Sequence, residues 1–198
     1  IVNGLVGSEM CIRDRTYEIW QPQLDYFNEY STLSYDILGH GKSKLEKEII
    51  TFDDFSNQLI TLIDELKIDK IHLVGFSIGS LIARDFASKH NERLQSLILL
   101  GSIFKRTDEQ QKIVNERYNQ AKKQMKLSKQ ALKRWFTDDY LKKNPNTYEK
   151  ISTILSANNM QNFLKVYKLF VFHKNNENFD KIKVNTLVMT GEYDIGST

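Results

Sequence analysis

Ser77 stands between two glycines, in Gly75-Phe76-Ser77-Ile78-Gly79, where the character of the chain changes. Before it, Lys70-Ile71-His72-Leu73-Val74 is short, apolar and rich in β-branched residues, the pattern of a buried parallel strand. After it, Ile78, Ile82, Ala83, Phe86 and Ala87 recur at helical spacing, with Arg84, Asp85, Ser88 and Lys89 on other faces. A serine between glycines at a strand-to-helix turn forms a nucleophile elbow. The glycines permit a sharp turn, the hydroxyl is exposed, and the backbone N–H of Ile78 opens a helix N-terminus. The chemistry available to such a serine is attack on an acyl carbonyl. The pentapeptide alone is a weak signal, arising by chance in roughly one chain in fifteen of this length. Its flanking strand and helix sharpen it against the alternative of an ordinary turn serine.

The elements around the elbow must hold it in place. Ser31 to Ile37 reads as a strand running into the turn Leu38-Gly39-His40-Gly41-Lys42-Ser43. Thr51 then opens a helix, with Asp54 completing a capping-box-like pattern and Phe52, Phe55, Leu59, Leu62, Ile63 and Leu66 as its apolar stripe. Leu97 to Leu100 and Val184 to Thr190 are further apolar runs, each closing on a glycine. Strands alternating with helices predict an α/β fold: a mostly parallel sheet covered by helices on both faces. Ligands bind such sheets at the carboxyl ends of the strands, where these glycine turns lie. The expected organisation is a core over residues 1–104, a helical lid over 105–182, and a core strand with its loop over 183–198. The lid reading rests on a helical, Lys/Asn/Gln-rich segment carrying Trp135, Phe136, Tyr140, Tyr148, Phe163, Tyr167, Phe170 and Phe172. Most of these aromatics are expected to hold helices onto the sheet, with two or three lining a pocket.

A chain of 198 residues with 40% hydrophobic and 27% charged residues fits one globular domain with a real core. Its apolar runs fall far short of a bilayer span, so no membrane partner is expected. A single cysteine, Cys11, excludes an internal disulfide framework, and no Cys/His cluster has zinc spacing. Neither metal nor cofactor is expected, and a cytoplasmic setting is the default, with a targeting segment before Ile1 left open. The net charge is +3, but residues 105–182 hold 17 Lys/Arg against 8 Asp/Glu. That asymmetry could steer an anionic ligand, against the blander reading of solvated lysine faces. No basic motif interleaved with aromatics points to nucleic acid.

Together these elements resemble the α/β-hydrolase superfamily over most of the chain. Asp36-Ile37-Leu38-Gly39-His40-Gly41-Lys42-Ser43 is similar to its D-x-x-G-H-G-x-S turn, and Gly75 to Gly79 to its elbow. Leu187-Val188-Met189-Thr190-Gly191-Glu192-Tyr193-Asp194 resembles the strand and loop bearing the catalytic acid. Ile1-Val2-Asn3-Gly4-Leu5 resembles the strand and oxyanion loop. Arg134-Trp135-Phe136-Thr137, with the stretch from Gly191 to Thr198, resembles the 3-oxoadipate enol-lactonase and small carboxylesterase branch. The resemblance implies a serine hydrolase of small carboxylic esters or lactones. Ser77 would be the nucleophile, Asp194 the acid, and the backbone N–H groups of Ile78 and Leu5 the oxyanion hole. The alternatives are a non-catalytic ligand-binding member of the fold, and a cofactor-free haloperoxidase or C–C bond hydrolase using the same triad.

Family order is serine, then acid, then histidine, and no histidine follows Asp194. His40 reads as part of the glycine turn, His72 as a strand residue, His90 as a helix end, and His173 as a lid residue. The sequence therefore reads as a fragment lacking the histidine, and inactive as it stands. A degenerate member is the competing reading. Residues 6–15 separate the oxyanion motif from Trp20 and resemble translated sequencing-adapter sequence, so they read as a non-native insertion, a longer native loop being the alternative.

Overall fold

The computed structural model describes residues 4–8, 20–124, 135–156, 159–173 and 178–194. Five strands, β1 (Gly4–Ser8), β2 (Ser31–Tyr35), β3 (Ile71–Phe76), β4 (Leu94–Leu100) and β5 (Asn185–Met189), form one sheet in the order β2-β1-β3-β4-β5. Every neighbouring pair is parallel. The chain moves outward from β1 to β2 and then returns to the other side of β1 to lay down β3. That reversal opens a crevice between the carboxyl ends of β1 and β3, the place where parallel sheets bind ligands. Ser77 follows β3 directly.

Helices α2 (Phe52–Glu65) and α3 (Ile78–Lys89) cover one face. Their Phe55, Leu59, Ile63, Ile82 and Phe86 are buried against Ile71, Leu73, Leu97 and Leu99 of the sheet. At about 1.5–3 kcal/mol for each large side chain withdrawn from water, this layer is the main source of stability. The opposite face carries His72, Phe76, Ile98 and Leu100 by strand alternation, and these are only half-buried. A short helical turn, α1 (Gln21–Leu24), precedes β2.

The capping box is present at the start of α2. The Thr51 N–H and hydroxyl donate to the Asp54 carboxylate at 2.8 and 2.9 Å, satisfying groups that a helix start leaves over. From the same helix, Gln58 holds the glycine turn after β2. Its amide donates to the Asp36 carbonyl at 2.9 Å and the Ser43 hydroxyl at 3.1 Å, and its oxygen accepts from Leu38 N–H at 3.1 Å. Gly41 sits at φ +51°, packed so tightly over the Asp36 carboxylate that a Cβ has no room. The Asp36 carboxylate accepts from Lys42 N–H at 3.0 Å. The acid and glycines of this motif thus build a turn, as the sequence reading of His40 implied.

Between β4 and β5 lie α4 (Asp108–Gln124), α5 (Asp138–Lys143), α6 (Pro145–Ser156) and α7 (Met160–Val171). Asn159 caps α7 by accepting from Gln161 and Asn162 N–H at 3.0 and 3.1 Å. At the other end Arg106 donates to the carbonyls of Phe170 (2.9 Å) and Val171 (3.2 Å), and Gln111 to Val171 (2.9 Å). Phe163 and Tyr167 are buried against α4, while Val166 joins the main core. By contrast Phe172 and Tyr140 are exposed. Strand β5 is the sheet edge, and all five of its residues are exposed. The reading of residues 6–15 as an insertion meets β1, which takes Val6, Gly7 and Ser8 into the sheet. Residues 9–15 lie outside the described residues.

Two expectations follow. A Cβ at Gly75 would lie 2.7 Å from the Gly79 carbonyl carbon and 2.8 Å from Ala83 Cβ, so Gly75→Ala is expected to lower stability by about 3 kcal/mol in urea melts. His40 is buried, and burial lowers its pKa from 6.5 to about 4, outweighing its Leu38 hydrogen bond and the nearby Asp36 charge. The unfolded chain binds this proton first, so the contribution of neutral His40 is intact above pH 6.5 and lost as pH falls toward 4. Urea melts of His40→Asn should show a shallower decline than wild type across that window.

Candidate active site

Ser77 adopts φ 53° and ψ −113°, a left-handed backbone that a residue with a Cβ rarely takes. The turn is held from both sides. Ser77 N–H donates to the Leu100 carbonyl of β4 at 2.9 Å, and the Ser77 carbonyl accepts from Ser80 N–H at 2.9 Å and from the Ser80 hydroxyl. Because position 75 carries no Cβ, the Gly79 carbonyl and Ala83 of α3 close in against the strand there. Ile78 is the first residue of α3 and wholly buried as a side chain. Its N–H belongs to the first turn, where helix donors have no intrahelical acceptor and the dipole favours negative charge. The serine and the helix N-terminus therefore lie in adjacent residues.

Asp194 ends the turn that follows β5, its N–H donating to the Gly191 carbonyl at 3.0 Å, and it is half-buried. In register, Phe76 of β3 pairs with Leu100 of β4, and Leu100 with Met189 of β5. Ser77 and the Asp194 turn thus rise from the same sheet edge, on strands about 10 Å apart. Leu5 is placed differently. It lies inside β1, opposite Thr32 of β2 and His72 of β3. His72 precedes Ser77 by five residues, roughly 16 Å of strand. The expectation that Leu5 donates to an oxyanion at Ser77 is corrected: its amide is committed within the sheet, and the carboxyl end of β1 is Ser8, opposite Gly75. The motif was placed too early because β1 extends further along the chain than the sequence reading allowed.

The four histidines occupy other positions. The Nδ1 of His40 lies 3.3 Å from the Leu38 carbonyl inside the glycine turn. In β3, His72 Nδ1 lies 2.7 Å from the Ser96 hydroxyl. His90 caps the far end of α3 and packs on Phe86. At the end of α7, His173 is set edge-on to Phe52, and its Nε2 is buried without a hydrogen-bond partner among the described residues. Burial and the Arg84 and Arg106 charges lower its pKa to about 4.

Arg84 is the residue the sequence reading placed wrongly. Grouped with the polar residues of its helix, it is instead buried, donating to the Ile103 carbonyl at 2.7 Å and stacked 4.3 Å from the Phe179 ring centre. No local signal could show this, because its cover comes from the short 3₁₀ turn Asn178–Lys181 far along the chain. Among the described residues no group of three His, Cys, Asp or Glu could hold a metal, and no helix is long and apolar enough to cross a membrane.

The alpha/beta hydrolase fold family profile matches residues 1–123. The chain is 28% identical over 187 residues to the (E)-2-((N-methylformamido)methylene)succinate hydrolase of Acinetobacter baylyi, covering 91% of this chain and 69% of that protein. It is 24% identical over 177 residues to 3-oxoadipate enol-lactonase 2 of the same organism, covering 89% of this chain and 66% of that one. It thus spans about two thirds of the length of these relatives. The crystal structure of the enol-lactonase from Burkholderia xenovorans superimposes with a TM-score of 0.86 at 24% identity, over 97% of this chain and 74% of that one. Parallel sheet, strained serine elbow and these similarities lead to one assignment: the chain belongs to the alpha/beta hydrolase fold family.

Proposed function

We propose that this protein is a serine hydrolase of small carboxylic esters or lactones, with Ser77 as nucleophile, Asp194 as acid and Ile78 N–H as one oxyanion donor. The observation that carries this reading is the strained Ser77 at the carboxyl end of β3, one residue before the α3 N-terminus. Ser77 Oγ attacks the acyl carbonyl, its proton passing to a base, and the carbonyl oxygen gains negative charge. Collapse expels the alkoxide or enolate, which takes the proton from the base, and leaves an acyl-enzyme. Water then attacks with the base again taking its proton, which releases the acid and restores Ser77. In a lactone the leaving oxygen remains tied to the acyl group. A donor such as Ile78 N–H contributes about 2.7–4 kcal/mol of transition-state stabilisation. The second donor is to be sought past the carboxyl end of β1 rather than at Leu5.

Both relatives named above carry carboxylate substrates in their names, a succinate and a 3-oxoadipate derivative. With the basic balance of residues 105–182, this supports an acyl substrate that itself bears a carboxylate, taken up under the helices α4 to α7 acting as a lid. The scheme needs a histidine as base, and none of the four in this sequence is assigned that role. His72 lies back along β3 and His90 at the opposite end of α3.

Two measurements test this. With p-nitrophenyl acetate, residues 1–198 alone are expected to be nearly inert, about six orders of magnitude below a version that supplies the base. In that active version Ser77→Ala should abolish turnover, and equal turnover by Ser77→Ala overturns the assignment.

A further inference from the structure

We propose that a groove between α4, α7 and the loop before α2 binds an anionic amphiphile, a carboxylate carrying an apolar chain, at a site apart from Ser77. The groove measures about 610 Å³, within the range of small-molecule sites. Ser77, Ile78 and Asp194 are not among its lining residues.

Helix α7 has two working faces. Phe163, Val166, Tyr167 and Val171 are buried in the protein. Leu164, Lys165 and Lys168 recur at helical spacing along the groove instead. Helix α4 adds Tyr118 and Lys122, one turn apart on the same side. The groove also holds apolar surface that water would otherwise cover: Ile49 is 82% exposed and Phe172 54% exposed. Large apolar side chains left this open along one groove mark a surface that gains by being covered.

The charges select the occupant. The one carboxylate lining the groove, Glu48, is taken by Lys165 Nζ at 3.1 Å, which also donates to the Lys47 carbonyl at 3.1 Å. Lys122 and Lys168 have no carboxylate partner among the described residues. The groove therefore offers two ammonium groups without a carboxylate partner among the described residues, beside an apolar floor. An anionic head held by Lys122 and Lys168 lets a chain lie against Leu164, Leu169 and Phe172. A cationic amphiphile would meet the same lysines as like charges. A second copy pairing this face on itself would set lysines against lysines.

The test uses decanoate, titrated calorimetrically into the full chain below its micelle concentration, with decyltrimethylammonium as the cation of equal length. Saturable one-site binding of decanoate is expected, with none of the cation. The Lys122→Glu/Lys168→Glu variant should bind roughly tenfold or more weakly, and its near-ultraviolet circular dichroism should match wild type, since both lysines are exposed. Lys122→Gln/Lys168→Gln, which adds no repulsion, should also weaken binding. Absence of saturable decanoate binding, equal binding of the cation, or undiminished binding by folded double variants overturns the site. So does a dimer in size-exclusion chromatography that covers the groove and dissociates in the double variant. None of these readouts depends on hydrolysis at Ser77.

Discussion

Strand β3 and helix α3 approach so closely that the Gly79 carbonyl and Ala83 occupy the space where a side chain at position 75 would begin. The rest of the site depends on that approach. It lets the chain pass from strand to helix through one residue, and that residue is Ser77, held at φ 53°. Such strain costs about 1–3 kcal/mol. It is outweighed by the burial of Ile78, Ile82 and Phe86 on the helix that follows, each worth about 1.5–3 kcal/mol. Ser77 persists in its strained form because the helix it leads into buries its apolar stripe on the sheet.

The same geometry couples a covalent feature to an electrostatic one. The first N–H groups of α3 lie directly beyond the serine, so the positive end of the helix dipole is set beside it. The strand order adds the third element. Because β2 and β3 flank β1 on opposite sides, the serine rises at the crevice where the connections part. Across β4, the register of β3 with β5 brings the Asp194 turn to the same edge.

The helices between β4 and β5 are tied to this core through α7, which shares Val166 with the core and Phe163, Tyr167 and Val171 with α4. Arg106 and Gln111 accept the burden of its last carbonyls, which would otherwise be left without partners. A helix held at both ends in this way fixes its outer face, and with it the groove of lysines and apolar side chains on that side.

Features that depend on residues near one another in the chain could be read from the sequence. The elbow around Ser77, the Thr51–Asp54 capping box, the glycine turn at Gly39 to Gly41 and the amphipathic stripes of α2 and α3 are all of this kind. Backbone torsion, helix capping and periodic burial act over a few residues, so local residue types determine them. The placement of Leu5, the burial of Arg84 and the groove beside Lys122 and Lys168 belong to tertiary structure alone. Each depends on which distant segment arrives as a neighbour: β2 and β3 on either side of Leu5, the Phe179 ring over Arg84, and α7 beside α4. Ser77 could be named from five residues, but what surrounds it is set by the packing of strands and helices whose contacts no local pattern encodes.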